Sequence, residues 1–132
     1  MRAFKHRHFQ QWAKSEKLTD EVLLKAVEEM GRGLHDGDLG GGLYKKRVAQ
    51  AGRGKRGSYR TLLAFKRDEK ALFVYGYAKK DKANVSAKER AVYKDLAKRL
   101  LGLDDKTIKL LLERGSLLEI KLDEKEVVRS SP

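Results

Sequence analysis

The chain has no cysteine among its 132 residues. This excludes disulfides, thiol nucleophiles and cysteine metal sites, and it fits a reducing compartment. Long apolar runs are missing too. No stretch approaches the roughly 20 residues of a membrane-spanning helix, and the opening MRAFKHRHFQQW lacks the apolar core of a signal peptide. A soluble, cytoplasmic protein is expected. A third absence is local: between Leu39 and Arg67 there is no acidic residue. Any chemistry falls to Lys, Arg, Tyr, Ser, Asp, Glu and three histidines.

Apolar residues make up 40% of the chain, enough for a buried core. One domain is expected over residues 1–122, with a C-terminal helical extension from residue 103 and a frayed tail over 123–132. Lys and Arg number 31 against 19 Asp and Glu, and the net charge of +12 suits a polyanionic partner. Charge alone does not choose among RNA, DNA, an anionic membrane and an acidic protein.

Weak alternation suggests a strand from Arg2 to Phe9, followed by a helical turn over Gln10 to Lys14. In LTDEVLLKAVEEMGRG, Thr19 is an N-cap, Leu18 and Leu23 suit a hydrophobic staple, and Leu23, Ala26, Val27 and Met30 form a helical stripe. The glycine-rich Gly33 to Tyr44 reads as a loop. Three strands follow, Tyr44 to Gln50, Tyr59 to Phe65 and Ala71 to Ala78, joined by short turns as an antiparallel meander. Alternation puts Lys45 and Arg47 on one face of the first and Tyr44, Lys46 and Val48 on the other. Ser86 and Glu89 make a capping box for a helix from Ala87 to Leu101, with Val92, Leu96 and Leu100 as its apolar stripe. A helix over Asp105 to Arg114 and a strand within SLLEIKL complete the reading. The expected core includes Leu63, Phe65, Val74, Val92 and Leu96.

The acid-free stretch holds nine cations: Lys45, Lys46, Arg47, Arg53, Lys55, Arg56, Arg60, Lys66 and Arg67. A solvated surface usually mixes its signs, so a cationic sheet face that holds phosphates is the functional reading. Glycines at the hairpin tip let backbone and cations approach. Lys79 to Lys82 add charge after the third strand. The competing reading is a hairpin whose charges only keep a sheet edge from aggregating. GRGKRG joins two strands and does not match a phosphate loop. His6 and His8 have no third ligand nearby and read as solvated, so neither metal nor cofactor is expected. Tyr59, Tyr75 and Tyr77 read as sheet packing ahead of stacking platforms for bases.

The blocks LYKKRVAQAGRGKRGSYRTLLAF and ALFVYGYAKKDKANVSAKE resemble toxins of the RelE/ParE superfamily, within it the RelE-like, HigB-type branch, over residues 20 to 100. The resemblance implies an α+β, RelE-like fold: a twisted antiparallel sheet against N-terminal helices and a C-terminal helix. It implies a metal-independent endoribonuclease that enters the ribosomal A site, cleaves translated mRNA and inhibits translation. Its restraint would be a cognate antitoxin, a small helix-turn-helix or acidic protein. By position, the family's phosphate-binding residues match Lys45, Arg47 and Arg60, with a further cation at Lys79 or Lys80. A tyrosine that the family carries after the last strand has no counterpart here, where its place falls near Ser86; Tyr59, Tyr75 and Tyr77 are candidates to replace it.

Cleavage of RNA by its own 2′-OH needs a proton acceptor, cations to neutralise the phosphorane and an acid for the 5′-oxygen. Arginine stays protonated, so Arg47 and Arg60 are read as charge stabilisers. A lysine can act as base if crowding by other cations lowers its pKa, which makes Lys45 or Lys55 the candidate. Lys46, Arg53, Arg56, Lys79, Lys80 and Lys82 are read as RNA-binding. Two alternatives share these features: a gyrase-directed, ParE-like toxin and a non-catalytic RNA- or ribosome-binding protein.

Overall fold

A computed structural model describes residues 1–50 and 54–121, with the side chains of residues 50 and 54–57 outside that description. Ten elements follow one another: β1 (Arg2–His6), α1 (Arg7–Ser15), α2 (Asp20–Gly31), β2 (Gly37–Gly40), β3 (Leu43–Gln50), β4 (Gly54–Lys66), β5 (Lys70–Ala78), α3 (Ala87–Leu101), α4 (Asp105–Glu113) and β6 (Leu117–Glu119). The strands form one six-stranded sheet in the order β2-β3-β4-β5-β1-β6. The meander β3-β4-β5 is antiparallel, as expected. The sheet is nevertheless mixed, because β1 runs parallel to β5, pairing Arg2 to Lys5 with Lys70 to Phe73. The fold class is α+β, consistent with the RelE-like architecture.

Each face of the sheet buries its own core. On one side Phe9, Ala13, Leu23, Val27 and Met30 of α1 and α2 meet Val48, Leu63, Phe65 and Phe73. On the other Ala97, Leu100 and Ile108 of α3 and α4 meet Leu43, Leu62, Ala64, Leu72 and Val74. Thr19 caps α2 by accepting from the Val22 N–H, and all four stripe residues of that helix are buried. Ser86 and Glu89 close the capping box of α3.

Four sequence expectations are corrected. The first strand stops at His6, whose Nδ1 accepts from the His8 N–H and so caps α1 from Arg7. The Gly33 to Tyr44 segment is not all loop: β2 pairs with β3, and Gly40, Gly41 and Gly42 make the connecting turn at φ of 88°, 65° and 84°. That left-handed backbone favours glycine. Val92 is 59% exposed and lies outside the core. The inward stripe of α3 is Tyr93, Leu96, Ala97, Leu100 and Leu101, and Val92 sits about 100° around the helix from its centre. Leu96 is only partly buried. The expected tail over 123–132 lies outside the described residues. Among the described residues no helix is long and apolar enough to cross a membrane.

Candidate nucleic-acid interface and active site

Period-two alternation on β3 sends Leu43, Lys45 and Arg47 toward the α3 face and Tyr44, Lys46 and Val48 toward α2. On β4 the residue opposite Arg47 is Arg60, and opposite Arg60 on β5 is Tyr77. The neighbouring row is Lys45, Leu62 and Tyr75. Two guanidinium side chains thus stand directly across a strand pair, an arrangement that destabilises a sheet unless an anion intervenes. Among the described residues, none of Lys45, Arg47 and Arg60 makes an ion pair. Arg60 donates to the Ser58 hydroxyl at 3.2 Å. The nearby Asp36 carboxylate accepts from the main-chain N–H of Arg47 at 2.7 Å.

A bulge in β5 completes the row. Leu62 pairs with Tyr75 but the next residue, Leu63, pairs with Phe73, so Val74 is an extra residue that reverses the alternation. Phe73 joins the α1 core, whereas Val74, Tyr75 and Tyr77 all pack on the α3 side. Without the bulge, strict alternation would put Tyr75 and Tyr77 on the same face as Phe73. Tyr77 is 5% exposed and its hydroxyl has no hydrogen-bond partner among the described residues. Burial pushes its pKa up, while Arg60 and Lys82 pull the other way. Tyr75 stacks on Tyr93 of α3 at 5.0 Å and approaches Tyr77 at 5.8 Å. Burial also raises the pKa of Tyr93.

Lys82 borders these tyrosines. Its Nζ donates to Glu89 and to the Tyr75 hydroxyl, and lies 5.2 Å from the Tyr75 ring centroid. The bond to Glu89, then that to Tyr75, raises the Lys82 pKa and holds the ammonium charged. Glu89 divides its carboxylate: Oε1 accepts from the Ser86 N–H while Oε2 accepts from Lys82. Those contacts, Lys82 first, hold its pKa down to about 2. The helix cap therefore also anchors a cation beside the arginine row.

The structure brings Lys45, Arg47, Arg60 and Lys82 to one side of the sheet, and leaves Lys79 and Lys80 exposed just after β5. It does not bring Lys46 there. The Lys46 side chain is 8% exposed on the opposite face, where its ammonium contacts Glu29 at 3.1 Å and donates to the Leu34 carbonyl at 2.7 Å. Its alternation already pointed that way, and a buried, paired ammonium holds α2 on β3 in place of meeting RNA. The side chains of Lys55 and Arg56, and Arg53 altogether, lie outside the described residues. Tyr59 leaves the list of replacement tyrosines: it is buried under α1, edge-on to Trp12 at 5.3 Å. Sequence reasoning missed the Tyr77 and Tyr75 orientation because a bulge leaves no mark in alternation. It missed the Lys82 to Glu89 pair although the capping box was visible. Among the described residues no three His, Cys, Asp or Glu are grouped to hold a metal ion.

Set against known protein families, residues 1–120 match the family described as RelE toxin of RelE / RelB toxin-antitoxin system. The match extends past both ends of the 20-to-100 resemblance and takes in β1, α1, α4 and β6. A comparison with curated proteins finds no match.

Proposed function

Because this chain belongs to the RelE toxin family, we propose that it is a ribosome-dependent endoribonuclease of the HigB-type branch, cutting translated mRNA and restrained by a cognate antitoxin. The observation that carries the reading is the Arg47, Arg60 and Tyr77 row: two facing guanidinium groups without an acidic partner among the described residues, beside a buried phenol. A structural role for these arginines would call for carboxylates. A phosphodiester supplies the missing negative charge, and guanidinium forks match its oxygens.

In the proposed reaction the substrate's 2′-oxygen attacks phosphorus, the P–O5′ bond breaks, and the products are a 2′,3′-cyclic phosphate and a free 5′-hydroxyl. Arg47 and Arg60 neutralise the charge that develops on the phosphorane oxygens, the stage at which a preorganised donor counts most. Lys45, one row back, or Lys55, in its neutral amine form, takes the 2′ proton, and the 5′-oxygen takes a proton from water as it leaves. Lys82, Lys79 and Lys80 hold the RNA strand alongside. The protein acts as a single domain over 1–122 in the cytoplasm, and its antitoxin, a small acidic or helix-turn-helix protein, covers the row.

The test is a defined mRNA on programmed ribosomes, with ends mapped after incubation. Cuts that leave cyclic phosphates support the reading. Ribosome binding without cleavage supports a non-catalytic binding protein, and trapped gyrase–DNA complexes with intact mRNA support a ParE-like toxin.

A further inference from the structure

β1 pairs with β5 only as far as Phe73, because the chain turns at His6 into α1. Beyond that point β5 has no ladder partner on this side among the described residues, and a groove of about 520 Å³ opens there. All five residues of 74–78 line it. Successive strand residues point to opposite faces, so a cavity touching five in a row looks at the strand edge, with its main-chain N–H and C=O groups. Its walls are aromatic. Trp12 stands on one side, and on the other Tyr93 stacks on Tyr75 at 5.0 Å. His6 and His8, stacked at 5.1 Å, form its rim.

We infer that this groove is a nucleobase subsite for the RNA strand whose phosphate lies on the arginine row. The inference rests on the proposed RNA-cleaving function and adds where a flanking base goes. Three observations carry it. Tyr77 belongs to both places: it pairs with Arg60 and lines the groove. At about 4.8 Å per strand, the row from Arg47 to Tyr77 spans two strand spacings, so a phosphate on the row and a base in the groove belong to the same or an adjacent nucleotide. Flat aromatic walls offer the stacking surfaces that unpaired bases take. The polar edges fit as well. Nδ1 of His6 accepts from the His8 N–H at 3.1 Å, which places the proton of its neutral imidazole on Nε2. Burial, then His8 and Arg7, keep its pKa low. That Nε2–H and the open strand edge can read a base's hydrogen-bonding groups.

The competing occupant is an acidic peptide added as a strand to the same edge. Trp12 is the only tryptophan, so its fluorescence reports entry. A short 2′-O-methylated oligoribonucleotide, which cannot be cleaved, is titrated against the full chain beside an abasic version with the same phosphates and an acidic pentapeptide. Binding of each is followed separately by anisotropy. Trp12 quenching by the base-bearing strand, with the abasic strand bound but silent, is expected. Tyr93→Leu should lower the preference for the base-bearing strand by about 5- to 100-fold and leave abasic affinity unchanged; a preference unchanged in a folded variant overturns the subsite. RNA that binds in both forms without altering Trp12 overturns it too while sparing the RNA reading. Quenching by the peptide alone assigns the groove to a protein strand. Failure of both oligonucleotides to bind the free chain overturns this inference, while cleavage of a defined mRNA on programmed ribosomes decides the RNA reading separately.

Discussion

Arg47→Gln is expected to make the free protein more stable. Arg47 is exposed and faces Arg60 across the β3–β4 pair with no ion pair among the described residues. Directly opposed side chains have Cβ atoms about 5 Å apart, and like charges there cost on the order of 0.2–1 kcal/mol. Coulomb's law in water-like surroundings agrees, giving about 0.7 kcal/mol at about 6 Å. Glutamine keeps most of the side-chain stem, so little packing is lost. The expected gain is about 0.2–1 kcal/mol, or about 1–5 °C in Tm for a chain of this size. Urea or thermal unfolding in dilute buffer measures it. The gain should shrink near 1 M salt, where the Debye length falls to about 3 Å, and the same variant should cleave mRNA more slowly. Destabilisation at low salt, or a gain indifferent to salt, would refute the claim that the row holds uncompensated positive charge for a ligand.

Acid should loosen the Lys82 anchor. Glu89 has its pKa depressed from 4.5 to about 2, so between those values the unfolded chain binds the extra proton and stability falls with pH. Its contribution is complete above pH 4.5 and gone below about 2, and the stability gap between wild type and Glu89→Gln should close over that window. Gly76→Ala would set a Cβ 2.2 Å from the Trp12 ring. The ring must shift, at a cost of about 1–3 kcal/mol, and a displaced Trp12 emission in the folded variant checks this. RNA affinity should fall by about 0.7–0.9 log units per log unit of salt for each phosphate contact, and Arg60→Ala should reduce that slope by about one contact where Lys66→Ala does not.

Local signals reached far into this fold. Thr19 and the Ser86 to Glu89 box act within one helical turn and the apolar stripe of α2 spans about two, and α3 runs from Ala87 to Leu101 as read. The meander was legible because its strands are adjacent in sequence and its turns are short. What escaped was non-local. The parallel insertion of β1 beside β5 joins residues about seventy positions apart, and no periodicity announces it. Val92 reads as inward because a stripe at four-residue spacing drifts around a 3.6-residue helix, and only packing fixes which side faces the sheet. The candidate site was half visible. Lys45, Arg47 and Arg60 stood out through alternation and the lack of acids, while Tyr75 and Tyr77 joined them through one inserted residue at Val74.

The most direct measurement compares Arg60→Ala with wild type on ribosomes programmed with a defined mRNA, following cleavage and ribosome binding together. If Arg60 stabilises the phosphorane, cleavage should drop by about 10²–10³ while binding changes far less. Arg60→Lys, which keeps the charge without the planar fork, should recover only part of the rate. Wild-type cleavage rates in a folded Arg60→Ala variant would contradict the account.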